Sequence, residues 1–358
     1  MKNRRMPTLL VCLLLCLCLC VPAAADKWSV FDDAEDAPDG LGFVVCEYTG
    51  TVTITFLGDC TLGGESKTSS AFIQSIDAYG YDYPFRGLTS LTENDDLTVA
   101  NLECVLSDRN LKKETKTFNF MGPADYTGIL QAGSIECVTM ANNHSHDYGT
   151  EGYRDTREAL DSAGVAHFGT DHMAVWERDG LMIGFVGVNY RATTDMLSQI
   201  KQLKQLGCAA VIVFIHAGEE YRTSITTTQE QIAKSAASAG CALLVGSHPH
   251  IVQGFNTVHG MPAIYSLGNC SFGGNSNPSD KDALAVQAEL HFEEGVLTSA
   301  DLHFYPISVS GADNYNDYSP VLLSGDDAQR VLDKMKASTG YEMPAFEEGT
   351  GSVIHIDY

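Results

Sequence analysis

Basic residues are scarce in this sequence. The 358-residue chain has 22 lysines and arginines against 46 aspartates and glutamates, which gives a formal net charge of −24 at pH 7. Nucleic acids and anionic membrane surfaces are bound through basic patches, so this balance argues against both as partners. A polyanionic substrate would need bridging cations or a tightly local contact.

The pattern of a disulfide-stabilised protein is also missing. Four of the 11 cysteines lie within the first 20 residues. The other seven have no C-x-x-C spacing and stand at Cys46, Cys60, Cys104, Cys137, Cys208, Cys241 and Cys270. An odd number cannot pair fully within one chain, so a disulfide scaffold is not expected. Several of these cysteines lie in apolar runs and are expected to be small buried residues.

Long hydrophobic runs are confined to the N-terminus. Three basic side chains precede the apolar run Leu9–Val21, and small residues up to Ala25 follow, which is the pattern of a signal peptide over residues 1–25. The run is short for a transmembrane span. We therefore expect cleavage after Ala25 and export, with an uncleaved membrane anchor as the alternative. A lipid anchor at Cys20 is not expected, because Leu19 stands where a small residue is needed. Without residues 1–25 the charge becomes −27, from 19 basic and 46 acidic side chains.

The order of apolar segments predicts an α/β protein. Residues 26–50 are acidic and without a sustained period, and are predicted to be a flexible lead-in. Strands and helices then alternate from residue 51 to about 248, and consecutive strands follow to about 305. This order indicates an α/β core with an added or second sheet. We place one domain at 51–310 and a C-terminal extension at 311–358, with a predicted helix at 326–337.

Polar residues follow the apolar strands at six points. They are Asp59, Asn101 with Glu103, the stretch Asn142 to Asp147, His216, His248 with His250, and Asn269. In α/β sheets the ligand crevice lies at the carboxyl ends of the strands, so parallel strands would bring these residues to one edge. Carboxylates, imidazoles and amide oxygens together favour a divalent metal site for Mn, Zn or Fe.

Each motif alone has a more ordinary explanation. A Gly-Asp pair often forms only a turn, NLE can be a solvated strand end, and one histidine such as His216 is more often a hydrogen-bonded structural residue. His248 and His250, on either side of a proline, are more specific, and the joint occurrence at successive strand ends favours a metal or catalytic site. The other histidines show no such grouping and are expected to be structural or on the surface: His167, His172, His259, His291, His303 and His355.

The ordered motifs GD, NLE, ANNH-x-x-D-x-G, H-x-G-x-E, G-x-H-P-H and YSLGN resemble the bacterial capsule-synthesis family of the CapA type, which is involved in poly-γ-glutamate biosynthesis. The resemblance runs from about Thr51 to Gly274. It implies a relation to the calcineurin-like metallophosphoesterases. A four-layer α/β/β/α sandwich of the metallophosphoesterase type, holding one or two divalent ions, is then expected.

The resemblance also implies roles for individual residues. The metal ligands would be Asp59, Glu103, Asn143, His216, His248 and His250. The catalytic group would be His144 as acid/base, with Asp147 orienting it and Glu220 as a further carboxylate. Thr61 departs from the metallophosphoesterase pattern, which has a histidine ligand there. The site would then hold one tight and one weak ion, or a single ion.

Three cysteines directly follow motif residues: Cys60, Cys104 and Cys270. Alternation along a strand places them on the core side of the pocket. In a second hypothesis, the Cys60 thiolate replaces the missing histidine as a metal ligand.

The function implied by the resemblance is that of an exported, extracellular or cell-envelope protein, soluble or peripherally attached to the membrane. Its partners would be an anionic cell-surface polymer or the membrane components of its synthase. Catalysis, if present, would be metal-dependent hydrolysis or transfer. Two alternatives stay open: a non-catalytic, metal-stabilised scaffold of the synthase complex, and a secreted metallophosphoesterase.

Overall fold

The computed structural model describes residues 26–33, 36–37, 46–65, 70–190 and 193–358, so the predicted signal peptide lies outside the described residues. The strands are β1 (Lys27–Phe31), β2 (Gly50–Thr61), β3 (Leu97–Leu102), β4 (Val105–Leu106), β5 (Met121–Gly122), β6 (Cys137–Thr139), β7 (Ala166–Phe168), β8 (Met173–Arg178), β9 (Leu181–Asn189), β10 (Ala210–His216), β11 (Leu243–Ser247), β12 (Val252–Val258), β13 (Met261–Leu267), β14 (Asn269–Phe272), β15 (Asp282–Glu293), β16 (Val296–Ser308), β17 (Val321–Leu322) and β18 (Ser352–Asp357). The helices are α1 (Ala71–Tyr79), α2 (Thr89–Thr92), α3 (Thr127–Ala132), α4 (Gly149–Ala163), α5 (Thr193–Leu206), α6 (Thr227–Ser238) and α7 (Gly325–Thr339). None of the helices in these described ranges has the length and apolar character that crossing a membrane requires.

Two large sheets organise the chain. One has seven strands in the order β1-β8-β9-β10-β11-β13-β12. The other has nine strands: β17-β16-β15-β2-β3-β6-β7, with β14 beside β2 and β18 beside β16. Neighbouring strands are parallel from β9 through β10 and β11 to β13, and from β14 through β2, β3 and β6 to β7. The prediction of an α/β protein with a second sheet is therefore confirmed.

Side-chain alternation along the strands divides the core into three main clusters. The largest combines one face of each sheet, with Phe56 of β2 and Phe214 of β10 among its members. The other face of the nine-stranded sheet packs against helices that include α1, through Phe72. The other face of the seven-stranded sheet packs against α5 and α6, through residues such as Ile200 and Ile232. Each sheet thus has an apolar cluster on both of its faces.

The chain passes from one sheet to the other at Gly268, between β13 and β14. Gly268 has a φ of 75°, a conformation that favours glycine. Its carbonyl oxygen accepts a hydrogen bond of 3.0 Å from the Asp59 N–H. A Cβ on Gly58 would lie 2.0 Å from the same oxygen, so only glycine fits there. This close backbone contact places the end of β2 beside the end of β13.

Residues 27–31, within the segment predicted to be a flexible lead-in, form a strand in the structure. β1 pairs antiparallel with β8, from Lys27 opposite Glu177 to Phe31 opposite Met173. The segment KWSVF contains aromatic and β-branched residues that suit a strand. Five residues beside an acidic stretch are too few to show a period, which is why the sequence did not reveal the strand.

The segment predicted as a C-terminal extension contributes to the core. Val331, Leu332 and Met335 of α7 are buried in the largest cluster. β18 pairs with β16 over six residues, from Ser352 to Asp357. Residues after 310 therefore pack into the same fold as those before it.

Leu332→Ala should lower the free energy of unfolding by about 2–5 kcal/mol, because it removes a fully buried side chain from the main core. Urea unfolding followed by circular dichroism would measure this change in the main transition. Gln329→Ala, at an exposed position of the same helix, should change it by less than about 0.5 kcal/mol. An unchanged main transition in Leu332→Ala would show that α7 unfolds independently.

A chain of polar groups that includes two buried histidines connects α4 with the β7–β8 turn. His167 Nδ1 lies 2.8 Å from His172 Nε2, and His167 Nε2 lies 3.1 Å from the Asp161 carboxylate. His172 Nδ1 lies 2.8 Å from Asp171 Oδ1, which also accepts a hydrogen bond from the Tyr153 hydroxyl. Burial lowers the pKa of both histidines below the usual 6.5. The folded protein therefore holds them neutral.

His167→Gln should weaken the acid sensitivity of the fold. Because the folded pKa is lowered, the contribution of His167 to stability is present above pH 6.5 and is lost as the pH falls below that value. The drop in unfolding free energy from pH 7 to pH 5 should be smaller in the variant by up to about 2 kcal/mol. Chemical denaturation at both pH values measures it. Ser162→Ala, an exposed neutral control, should show the same decrease in unfolding free energy as wild type. A decrease in His167→Gln as large as that of wild type would contradict this account.

Candidate metal centre

Strand ends from both sheets meet where β13 passes into β14. The nine-stranded sheet supplies Asp59 at the end of β2, Glu103 after β3, and Asn143 and His144 after β6. The seven-stranded sheet supplies His216 at the end of β10, and His248 and His250 after β11. The predicted ligands therefore come together, at the junction of two sheets rather than at the edge of one.

Two groups of three side chains could each hold an ion. One is Glu103, His216 and His248, and the other is Asp59, Glu103 and His250. Within each group the ligand atoms lie within 4.8 Å of one another, and every residue is buried. Glu103 belongs to both groups, so its two carboxylate oxygens could bind neighbouring ions. Imidazole and carboxylate ligands of this kind suit Zn, Mn or Fe.

The carboxyl group of Glu103 fits a cation. Both of its oxygens are buried and have no hydrogen-bond partner among the described residues. Burial, together with the charge of Asp59, raises the pKa of Glu103 to about 8. His216 Nε2 lies 3.4 Å from Glu103 Oε1. A buried carboxylate without partners is costly, and a bound cation offsets that cost.

His216 is oriented by its neighbours as a neutral ligand. Its Nδ1 lies 3.1 Å from Ser247 Oγ, and its Nε2 lies 2.7 Å from Asn143 Oδ1 and 3.1 Å from His248 Nδ1. Burial lowers the pKa of His216 to about 3. A neutral imidazole is the form that binds metals. Asn143 presents its amide oxygen at the same place, as the resemblance implied.

Asp59 and His250 form a buried pair on the other side of Glu103. His250 Nδ1 lies 3.2 Å from Asp59 Oδ2 and 2.9 Å from Asn269 Oδ1. Burial opposes charging of His250, but the Glu103 and Asp59 carboxylates outweigh it and raise its pKa to about 10. Burial likewise opposes charging of Asp59, but the His250 hydrogen bond holds its pKa well below the usual range. A metal ion that binds Asp59 and His250 must displace the imidazole proton.

His144 forms a dyad with Asp147 beside these ligands. His144 Nδ1 lies 2.8 Å from Asp147 Oδ2. That carboxylate also accepts a 2.6 Å hydrogen bond from the Phe120 N–H and pairs with the Lys116 ammonium. Lys116 in turn donates a 2.6 Å hydrogen bond to the Asn143 carbonyl. Asp147 is thereby fixed in place and orients the His144 ring, which leaves Nε2 as the nitrogen available for proton exchange.

The resemblance implies that Glu220 is a further carboxylate of the pocket. It is exposed in the segment after β10, and it belongs to neither ion-holding group. Its negative charge still favours the protonated forms of His216 and Tyr190. Glu220 is therefore a residue of the rim.

Two residues of the site were missed in the sequence analysis. The Tyr190 hydroxyl contacts His248 Nε2, and Tyr190 directly follows β9. The rule of polar residues at strand ends, applied to β9, would have found it. Lys116 lies in the irregular segment between β4 and β5, where no periodic pattern marks it.

The backbone is strained at this site. The described residues include nine non-glycine residues with positive φ. Four of them are predicted ligands or lie beside one: Tyr190 at 52°, Tyr221 at 59°, His248 at 101° and His250 at 58°. Such conformations cost on the order of 1–3 kcal/mol each and persist where surrounding contacts determine them. Two predicted ligands are thus held in conformations that an unconstrained loop would avoid.

Thr61 bonds to the backbone, and the neighbouring cysteines face the core. The Thr61 hydroxyl donates a 3.2 Å hydrogen bond to the Glu103 carbonyl. Cys60, Cys104 and Cys270 are buried in the cluster between the nine-stranded sheet and its helices. Burial raises the pKa of the Cys60 thiol well above its usual value, so the group stays protonated. The interpretation of these cysteines as core residues is confirmed.

These features define a mixed α/β protein with a buried carboxylate and imidazole site at its strand ends. The sequence profile described as bacterial capsule synthesis protein PGA_cap matches residues 53–273, and the chain belongs to this family. This confirms the resemblance found from the motifs.

Two relatives are biosynthesis proteins named CapA, both from Bacillus. The capsule biosynthesis protein CapA of Bacillus anthracis is 26% identical over 269 residues, which cover 67% of this chain and 64% of that protein. The PGA biosynthesis protein CapA of Bacillus subtilis (strain 168) is 24% identical over 251 residues, or 62% of this chain and 63% of that protein. The chain thus matches less than two thirds of the length of either relative.

Glu103→Gln should abolish metal binding at the strand ends, because it changes the ligand common to both groups there. The wild-type protein, incubated with Mn²⁺ and desalted, should retain one or two equivalents by inductively coupled plasma mass spectrometry. In EDTA, the free energy of unfolding of the variant should lie within about 1 kcal/mol of the wild-type value, since burial already favours the neutral form of Glu103. Cys60→Ser is the matched control and should retain the metal. Full metal content in Glu103→Gln would refute the assignment.

Proposed function

We propose that this protein is exported and acts in the biosynthesis of an anionic cell-surface polymer, in the extracellular space or the cell envelope, through a centre of one or two divalent ions. Membership of the capsule synthesis family supports a role in the biosynthesis of such a polymer. The observation that carries the proposal is the buried Glu103 beside the His144–Asp147 dyad. It is common to both ligand groups and has no hydrogen-bond partner among the described residues.

We also infer that the fold is the four-layer α/β/β/α sandwich of the metallophosphoesterases. The three apolar clusters support this inference, since one lies between the sheets and one lies on the outer face of each. In that arrangement the ligand crevice lies at the strand ends, where the predicted ligands are found.

The chemistry proposed for the site is hydrolysis or transfer at a phosphoryl or acyl centre. A divalent ion at Glu103 would supply Lewis-acid activation of a substrate oxygen or of water. His144 holds or releases a proton at Nε2, because its Nδ1 is engaged with Asp147. Lys116 and the Phe120 N–H keep the Asp147 carboxylate in position. The rim carboxylate Glu220 would disfavour close approach of an anion except where cations bridge the charges.

A second candidate function is a metal-stabilised scaffold that binds the polymer or the membrane components of its synthase without catalysis. Thr61 favours it, because this side chain bonds to the backbone and contributes no ligand where metallophosphoesterases have a histidine. An ion held by fewer ligands binds more weakly, which reduces two-metal chemistry. The alternative of a secreted metallophosphoesterase depends on the same ligands and differs in its substrate.

The test compares wild type with His144→Ala. Both proteins, loaded with Mn²⁺ or Zn²⁺, would be incubated with poly-γ-glutamate and with bis(p-nitrophenyl) phosphate. The variant should keep its metal, since His144 is in neither ligand group, and should lose about 10²–10⁴-fold in turnover. His146→Ala, whose ring stacks on Tyr153 at 4.3 Å, is the matched control and should remain active.

Each result selects one function. Shortening or transfer of the polymer, dependent on His144, supports the proposal. Bound metal without turnover, combined with retained binding of the polymer, supports the scaffold. Turnover of the phosphodiester alone supports the secreted phosphoesterase.

A further inference from the structure

A second group of histidine and carboxylate side chains lies on the outer face of the nine-stranded sheet. It consists of Glu289 and His291 on β15 and Asp301 on β16, whose ligand atoms lie within 4.8 Å of one another. In the antiparallel β15–β2 pair, Glu289 lies opposite Thr53. Thr53 lies six residues before Asp59, which is about 20 Å along a strand. This outer-face group is therefore separate from the strand-end centre.

His291 is oriented in the way that metal-binding histidines are. Its Nδ1 lies 2.9 Å from the Thr51 hydroxyl, and its Nε2 lies 3.0 Å from Asp301 Oδ2. When Nδ1–H donates to Thr51, the Nε2 lone pair faces a carboxylate oxygen, and a cation between them makes the contact favourable. Histidine ligands commonly donate their second N–H to an oxygen in this manner.

The two carboxylates lie directly opposite each other. Glu289 is the register partner of Asp301 in the antiparallel β15–β16 pair. Like charges at such positions destabilise a sheet unless they are compensated. His303 Nε2 lies 3.7 Å from Glu289, while its Nδ1 donates a 3.0 Å hydrogen bond to the Thr350 carbonyl. On the other side, His355 Nδ1 lies 2.7 Å from Asp301 Oδ1.

We propose that His291 Nε2, Asp301 and Glu289 bind a divalent transition-metal ion of the Zn²⁺ type, with water completing the coordination. A tetrahedral zinc site places its ligand atoms ~3.4 Å apart, and the ligand atoms of this group lie within 4.8 Å of one another. The side chains of His291 and Asp301 are each 30% exposed, and that of Glu289 is 40% exposed, so an ion has access from solvent. The ion would clamp β15 to β16 and neutralise the facing carboxylates.

The experiment measures Zn²⁺ binding in a protein that lacks the strand-end ligands. The His248→Ala/His250→Ala variant should still bind one equivalent of Zn²⁺ by isothermal titration calorimetry and native mass spectrometry. Adding His291→Ala, or the shape-conserving Asp301→Asn, should weaken this binding about tenfold or more. His259→Asn in the same background removes an exposed histidine outside the group and should leave binding unchanged. Circular dichroism would verify that each variant is folded, and Glu103→Gln serves as a second background if the double variant is not.

Two outcomes would overturn the proposal. One is the absence of Zn²⁺ binding at micromolar concentrations in both backgrounds. The other is equally tight binding after His291→Ala and after Asp301→Asn, which would place the ion elsewhere. Loss of polymer-directed activity in any variant does not bear on this site, because only Zn²⁺ stoichiometry and affinity are measured.

Discussion

The burial of Glu103 among other ligands is the constraint on which the site depends. Its carboxyl group sits at the end of β3 with no hydrogen-bond partner in the described chain, close to Asp59 and to the ring of His216. Such a group is costly in a low-dielectric interior, so the surrounding structure must be rigid enough to keep it there. The contact of Gly58 with Gly268 and the strained backbone at His248 serve this purpose. Burial of Glu103 and strain in the backbone lower the stability of the fold, and the ligands are preorganised in return.

Much of the site was predictable because its residues follow a simple physical rule. Parallel strands read as apolar runs, and their carboxyl ends meet, so the polar residue after each run is a candidate ligand. That rule found Asp59, His216 and His250. It failed for Lys116, which lies in an irregular segment. Glu220 came from the resemblance and not from this rule, and it is exposed beyond the end of β10. Loops carry no periodicity from which side-chain direction can be derived.

The fold was predictable where segments were long and periodic. The alternating run 51–59 predicts a strand, and residues 151–163 followed by Gly164 predict a helix. The twelve-residue strand β2 and the helix α4, which ends at the left-handed Gly164, lie at these positions. Short elements such as β1 and β7 were missed, because three to five residues do not define a period. The grouping of His291 with Asp301 was also invisible, since it depends on the register between two strands and not on spacing along one.

The separation of the ligands along the chain has a consequence for how the protein folds. Asp59 and His248, whose backbone N–H donates to the Asp59 carboxylate at 3.2 Å, are 189 positions apart. Closing so long a loop is entropically costly, and topologies dominated by such distant pairings fold slowly. No ligand group at the strand ends exists before both sheets have formed, in contrast to zinc fingers, whose ligands are close in sequence. A bound ion would therefore act mainly by slowing unfolding, and the folding rate would depend on the sheets alone.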